Sequence, residues 1–424
     1  MNILSDFNIP AQKDQVRLLE EDASSTQQST LASYDELLYD STTKKMFMIG
    51  KRNNVYRVDM PELAREAKKN ITSAYKAFLD FIYDDKINEK GMKALDLAFK
   101  NPKSLRRIFI AHRGTINSSG LLEFSSKMKL MKSLNSLTLS FPFSQEGSCE
   151  GFESIMTNLK YLKSLSELRL CFNYSTAISI KAIKKLGRSL KELRNLKFLR
   201  LYFNKCSVFN DQVLMNLSSA LQDLKHLKVF FFGLSRHNKI TEKGLQHLSE
   251  SLRGFKSLQV LELDLSTSQV NDKGIQFLFE GLKDLKNITR CVMNFADCDD
   301  LTYRGIHEMA KGLKMMTSLT RLDLIFKGCF LVDQEALTDI TNAIKELVLL
   351  QALELNFYSC SLIETDGIAA LAVVLKDLKN LSTLGITAPS FVKCINRYYL
   401  DMKGLKVALE ELSGLVEGKK TFTF

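Results

Sequence analysis

The sequence predicts an α/β solenoid, curved, with parallel strands on its concave face, helices on its convex face and a unit about every 31 residues. Three observations predict it. A pattern of apolar, two variable, apolar, one variable, apolar recurs in ten copies, starting at Leu105, Leu134, Leu165, Leu196, Leu227, Leu258, Ile288, Leu319, Leu350 and Leu381, at intervals of 29 to 31 residues. Within each copy, as in "LQVLELDL" from Leu258 to Leu265, apolar and other residues alternate as in a strand with one buried face. After each strand comes a stretch such as "IQFLFEGL", whose apolar residues fall at helical spacing. Repetition at this period marks an array growing in one dimension, where 424 residues would otherwise suggest two or three compact domains.

The elements follow in chain order. Residues 1–45 carry eight acids against four bases and lack periodicity, so they read as a polar arm, disordered or extended on a partner. Residues 46–100 read as an N-terminal cap. There "KMFMIGKRNNVYRV" suggests a hairpin turning at Asn53 and Asn54, followed by a helix from Pro61, a degenerate strand near Leu79 to Phe81, and a helix opening at Gly91. Residues 101–400 are the repeats. Two positions past the third apolar residue stands Phe141, Phe172, Phe203, Phe295, Phe326 or Phe357, which would stack as a spine. Further on, Gly120, Gly151, Ala182, Gly244, Gly274, Gly305, Ala336 and Gly367 open the helices. Because Gly weakens a helix, its recurrence there implies close packing between units. Asn271, Thr241 and Thr365 precede such positions as candidate caps. Residues 401–424 supply a capping helix in "MKGLKVALEELSGL" and a last strand in "KKTFTF", with Phe422 and Phe424 inward.

Strand, loop, helix and return at this period resemble the leucine-rich repeat, specifically its ribonuclease-inhibitor-like class. The detail of "LKDLKNLSTL" and "LRGFKSLQVLELDL" is similar to the large sets of such proteins in ciliates. The resemblance spans roughly residues 85–424 and implies the fold. It implies little about function, since one fold hosts many roles.

No motif names a reaction. Four of the eight cysteines, Cys206, Cys298, Cys329 and Cys360, share one repeat column, and Cys329 and Cys360 would lie about 5 Å apart in adjacent units, within reach of a disulfide. A reduced, buried column is the favoured reading, with no zinc-type spacing. The histidines His112, His226, His237, His247 and His307 fall at different repeat phases, none beside an acid or Cys at ligand spacing. No phosphate-binding glycine loop is present. We therefore expect no enzyme, cofactor, metal or small-molecule substrate. The N-terminus lacks the basic start and apolar stretch of a secretory signal, and no apolar run approaches the roughly 18 residues of a membrane span. A cytoplasmic protein is expected, and the resemblance implies a cytoskeletal or ciliary setting.

Two surfaces could bind. Two residues before the first apolar position stand Lys103, Lys132, Lys163, Arg194, Lys225, Lys256, Lys286 and Lys379, a positive rim on a chain of net charge +11. Such residues favour a helix C-terminus by a few tenths of a kcal/mol, which accounts for them without a ligand; RNA or an acidic protein surface is the functional alternative. The outward positions of the strands give Phe198, Arg200, Tyr202, Val229, Phe231, Val260, Glu262, Asp264, Arg290 and Val292, then Arg321, Asp323, Ile325, Glu354 and Asn356. An apolar and aromatic cluster flanked by charge is what a protein partner needs. A long loop, "ITAPSFVKCINRYYLDMKG", adds Lys393, Arg397, Tyr398 and Tyr399 as further candidates. The expected role is a non-catalytic interaction or scaffolding subunit binding one or more proteins. Alternatives are a basic ribonucleoprotein subunit and, since GTPase-activating proteins of Ran have a similar repeat fold, a regulator of a small GTPase. The acidic C-terminal tail of the latter is missing here.

Overall fold

The computed structural model describes residues 34–40, 45–50, 55–58, 76–81, 103, 105–112, 118–145, 149–237, 239–387 and 420–423. Four strands come first: β1 (Tyr34–Asp40), β2 (Lys45–Gly50), β3 (Val55–Val58) and β4 (Lys76–Phe81). Strands and helices then alternate. The strands are β5 (Arg107–His112), β6 (Ser136–Ser140), β7 (Glu167–Cys171), β8 (Phe198–Tyr202), β9 (Val229–Gly233), β10 (Val260–Asp264), β11 (Arg290–Asn294), β12 (Arg321–Ile325), β13 (Ala352–Asn356) and β14 (Thr383–Thr387). The helices among the described residues are α1 (Ser118–Lys127), α2 (Cys149–Asn158), α3 (Ile180–Leu190), α4 (Asp211–Leu221), α5 (Glu242–Leu252), α6 (Asp272–Leu282), α7 (Tyr303–Lys314), α8 (Gln334–Ile344) and α9 (Thr365–Lys376). A last strand, β15 (Lys420–Thr423), pairs in parallel with β14 and sets Phe422 level with Ile386.

All fifteen strands form one sheet in the order β15 to β4, then β1, β2, β3. From β4 onward each strand pairs in parallel with the next in sequence, while β1, β2 and β3 pair antiparallel. The expected hairpin is β2 with β3, and the degenerate strand is β4. Of the expected arm, residues 1–33 and 41–44 lie outside the described residues; within it β1 joins the sheet between β2 and β4. Its pattern, "YDELLYD", mixes acids into the strand and shows no repeat phase, so sequence alone has no handle on it. The helices expected at Pro61, Gly91 and 402–415, and the loop carrying Lys393, Arg397, Tyr398 and Tyr399, lie outside the described residues.

Each unit builds its core the same way. On β10 the apolar Leu261 and Leu263 are buried, with Leu258 before the strand and Leu265 after it. Behind them α6 buries Gly274, Ile275, Leu278, Phe279, Gly281 and Leu282, the face that helical spacing predicts. Fully burying a Leu or Phe side chain contributes about 1.5–3 kcal/mol, so successive units are held chiefly by this continuous apolar layer. Strands pack at about 4.8 Å and helices at about 8–10 Å, a mismatch that favours bending with the strands on the inside. The phenylalanine spine runs in two segments. Phe141, Phe172 and Phe203 stand 6.0 and 5.9 Å apart, and Phe295, Phe326 and Phe357 stand 6.0 and 5.6 Å apart. Leu234 and Leu265 occupy the two positions between.

The turns repeat as faithfully. Asn210, Asn271 and Asp333 accept from the backbone N–H three residues on, each at 3.0 Å, and Thr241 caps α5. Such caps contribute about 1 kcal/mol each. The expectation for Thr365 fails: it lies inside α9, and Glu364 holds the cap position without a side-chain bond. Just past each strand from β6 to β13 one residue is left-handed. Phe143, Tyr174, Lys205, Arg236, Thr267, Asp297 and Ser359 have φ between 53° and 65°, and Gly328 has φ 76°. In that conformation Phe143, Tyr174, Lys205, Arg236, Thr267, Asp297 and Gly328 donate their N–H along the array, as Tyr174 does to the Asn204 carbonyl at 2.7 Å and Thr267 to the Ala296 carbonyl at 2.6 Å.

Candidate functional site

Register decides which side chains share the open face of the sheet. From β8 to β13 every strand aligns with the next without stagger. Outward residues therefore stand in three columns about 4.8 Å per step. The first runs Phe198, Val229, Val260, Arg290, Arg321, Ala352. The second runs Arg200, Phe231, Glu262, Val292, Asp323, Glu354. The third runs Tyr202, Gly233, Asp264, Asn294, Ile325, Asn356. The expected surface residues are thus brought together on one face.

They are not equally open. Phe198 is 37% exposed, whereas Val229 and Phe231 are each 9% exposed. The Arg200 guanidinium lies over the Phe231 ring at 4.3 Å, a cation–π contact that covers the apolar centre read from sequence. Arg200 is held near Glu167, 3.9 Å away, whose carboxylate also takes the Arg169 Nε–H at 2.7 Å and the Ser136 hydroxyl at 3.0 Å. Yet the Arg200 Nε is buried without an acceptor. Burial lowers the pKa of Arg200 and raises that of Tyr202, where the charge of Glu262 adds to the effect. Glu167 and Arg169 belong to this surface although the sequence reading did not single them out; their outward phase on β7 was the signal available.

On the other half of the face the charges divide into satisfied and unsatisfied groups. Arg321 grips Asp323 two residues on, with Nε 3.1 and 3.0 Å from the two carboxylate oxygens. The Asp264 carboxylate accepts from the Ser266 hydroxyl at 2.7 Å, from Asn294 at 3.1 Å and from Asn204 at 3.4 Å. Burial nevertheless raises its pKa above the ordinary aspartate value. Glu262 is half-buried with no hydrogen bond or ion pair, and burial raises its pKa although Arg290 and Arg200 pull the other way. Arg290 is likewise half-buried, and its Nε has no acceptor. Glu354 folds its carboxylate over β14, where a Cβ at Gly385 would collide with it; burial and the nearby Asp323 raise its pKa.

The rim is exposed throughout: Lys103, Lys132, Lys163, Arg194, Lys225, Lys256, Lys286 and Lys379 all reach solvent. Acids are interleaved with it. Lys163 pairs with Glu192 at 2.8 Å, and Lys191 approaches Asp223 at 3.9 Å. Lys132 stands 5.9 Å from the Tyr161 ring. The following asparagines tie unit to unit, as Asn195 donates to the Lys163 carbonyl at 2.9 Å and Asn287 to the Lys256 carbonyl at 3.0 Å.

The cysteine column is structural. Cys206, Cys329 and Cys360 are free and buried, and each thiol donates to the carbonyl of the spine phenylalanine one unit back, at 2.8, 3.0 and 3.1 Å. Cys298 does the same toward Leu265 at 3.4 Å, and His237 Nε2 lies 2.8 Å from the Phe203 carbonyl. Burial pushes the Cys206 and Cys360 thiols up to about 12 and Cys298 up to about 11, so they are not nucleophiles. Among the described residues no group of three or more His, Cys, Asp or Glu could hold a metal ion, and no helix is long and apolar enough to cross a membrane.

No protein-family model matches the chain, and no curated protein matches it. Among solved structures it is similar to a chain in the crystal structure of the yeast Rad7 and Elc1 complex, with TM-score 0.51 and 14% identity over 86% of this chain and 81% of that one. It is also similar to leiomodin-1 actin-binding site 2, with TM-score 0.31 and 17% identity over 40% of this chain and 88% of that one. The Caenorhabditis elegans tropomodulin C-terminal domain gives TM-score 0.31 and 18% identity over 39% and 92%. The first likeness is one of fold, and with the repeat architecture above it makes this chain an α/β leucine-rich-repeat solenoid.

Proposed function

We propose that this protein is a non-catalytic interaction or scaffolding subunit that takes a protein partner on the open face of its sheet. The observation that carries the reading is the charge held half-buried there without partners. Glu262, Arg290 and Glu354 lack hydrogen bonds or ion pairs, and Phe198, on β8 of the same face, is 37% exposed. A half-buried charge without a partner is costly, and a protein that covers the face can satisfy it. Exposed aromatics, and polar groups that become satisfied on docking, are what binding hot spots are built from. The ribonuclease-inhibitor-like subclass fits a 31-residue unit backed by a helix. A cytoskeletal or ciliary assembly rests on the sequence resemblance alone.

The rim supports RNA binding less well. Its cations are interleaved with Glu192, Asp223, Asp284 and Asp377, and its column passes to Thr317 and Val348 in two units. Their position at helix ends accounts for them. The test is purification of the tagged native protein with Phe198→Asp and Lys225→Glu/Lys256→Glu variants beside it. A protein recovered in stoichiometric amount with wild type and the rim variant, and lost with Phe198→Asp, is the expected result. Salt-sensitive RNA recovery that only the rim variant abolishes would replace this reading with the ribonucleoprotein one.

A further inference from the structure

The unpaired groups on the sheet face also say what chemistry the partner must bring, an inference that rests on the proposal above. From β10 to β13 the outward charges are Glu262, Asp264, Asp323 and Glu354 against Arg290 and Arg321, which leaves −2 on a chain whose net charge is +11. This half of the face is therefore acidic on an otherwise basic protein. Its charges are also sorted by need. Asp323 is gripped by Arg321, and Asp264 accepts from Ser266, Asn294 and Asn204. Glu262 and Glu354 have neither a hydrogen bond nor an ion pair, and both are half-buried in a sheet surface that restricts their access to water. Arg321 is already committed to Asp323, and Arg290 and Arg200 act on Glu262 only at a distance, without a hydrogen bond or ion pair.

Glu262 and Glu354 share the second column, three strands apart, which is about 14 Å at the usual strand spacing. Between them in that column stand Val292 and the neutralised Asp323. An extended segment advances about 3.3 Å per residue and returns to the same side every second residue, so two side chains four residues apart span about 13 Å and point the same way. We propose that the partner lays an extended, basic segment across β10 to β13, with one Lys or Arg on Glu262 and a second, four residues along, on Glu354. The uncommitted Arg290 Nε then receives an acceptor from the backbone of that segment. Charge-assisted hydrogen bonds of this kind are the strong ones, and here they would replace groups that have none.

The test is panning of a displayed random dodecapeptide library against the full-length chain, followed by affinity measurement of the enriched peptides on variants. Enriched peptides are expected to carry two basic residues with three between them. They should lose about tenfold or more in affinity to Glu262→Gln and again to Glu354→Gln, while Lys225→Glu/Lys256→Glu leaves them unchanged. Thermal melts of the variants check that each is folded. Peptides indifferent to Glu262→Gln and Glu354→Gln but lost on Phe198→Asp would overturn this inference and leave the sheet-face reading standing. Peptides indifferent to all three would overturn both. Enrichment of acidic or uncharged peptides, or of none, counts against the basic segment in the same way.

Discussion

Glu262 lies level with Phe231 on one side and Val292 on the other, a carboxylate set among apolar neighbours. Its folded pKa is raised above the usual 4.5, chiefly by burial. The unfolded chain therefore releases this proton at a lower pH than the folded one, so the group supports folding below about pH 4.5 and loses that support as pH rises through its folded value. Glu262→Gln should accordingly raise stability at pH 7 and have little effect near pH 3.5, measured by urea titration at both. His237 has the opposite sign of effect. Burial lowers its pKa from 6.5 while the Phe203 carbonyl opposes the shift, so the neutral ring is the folded form. Stability is full above pH 6.5 and falls as pH drops through the lowered value, where the unfolded chain binds the extra proton. Replacing His237 by Ser, the residue at this column in the units of Ser175 and Ser268, should remove that acid slope below pH 6.5. Neither behaviour was legible in the sequence. Alternation puts Glu262 outward, but whether an outward acid finds a cation depends on side-chain reach: Arg321 meets Asp323 two residues along one strand, whereas Arg290 on the next strand does not meet Glu262.

The repeating elements were far more legible, because their residues answer to period. The column Gly151, Gly244, Gly274 and Gly305 predicts close approach, and a Cβ at Gly151 or Gly274 would come within 2.5 or 2.6 Å of a leucine in the unit before. A second glycine, Gly281, makes the sharper case. A Cβ there would lie 2.6 Å from the Ser249 carbonyl oxygen and 2.9 Å from its Cα, which is backbone of α5 and cannot swing aside. In an exposed helix Gly to Ala stabilises by about 1 kcal/mol. Gly281→Ala should instead destabilise by about 1–3 kcal/mol, the range for overpacking, read from the shift in denaturation midpoint at constant slope. The cysteine column shows where period stops being informative. Its position could be read from Cys206, Cys329 and Cys360, but not its partner, because the acceptor is a backbone carbonyl one unit back, on Phe172, Phe295 or Phe326. β1 escaped altogether, since "YDELLYD" gains its strand by pairing with β2 and β4 and not by any repeat phase.

At the scale of the whole molecule the strands from β4 to β15 make one ordered surface, and the absence of stagger turns short outward triplets into long columns. That surface is where the proposed partner would dock. Its apolar centre is smaller than the sequence suggested, because Arg200 lies over Phe231 and leaves Phe198 as the exposed large apolar side chain of the face among the described residues. Phe198 is therefore the residue whose loss should weaken a partner without touching the core. The most direct measurement is titration calorimetry of the stoichiometric partner, once purified, against wild type and Phe198→Asp, with thermal melts alongside. An unchanged melt and an affinity weaker by about 2 kcal/mol or more, the size of a hot-spot residue, are expected. Equal affinity for a normally folded Phe198→Asp protein would rule out Phe198 as part of the partner site.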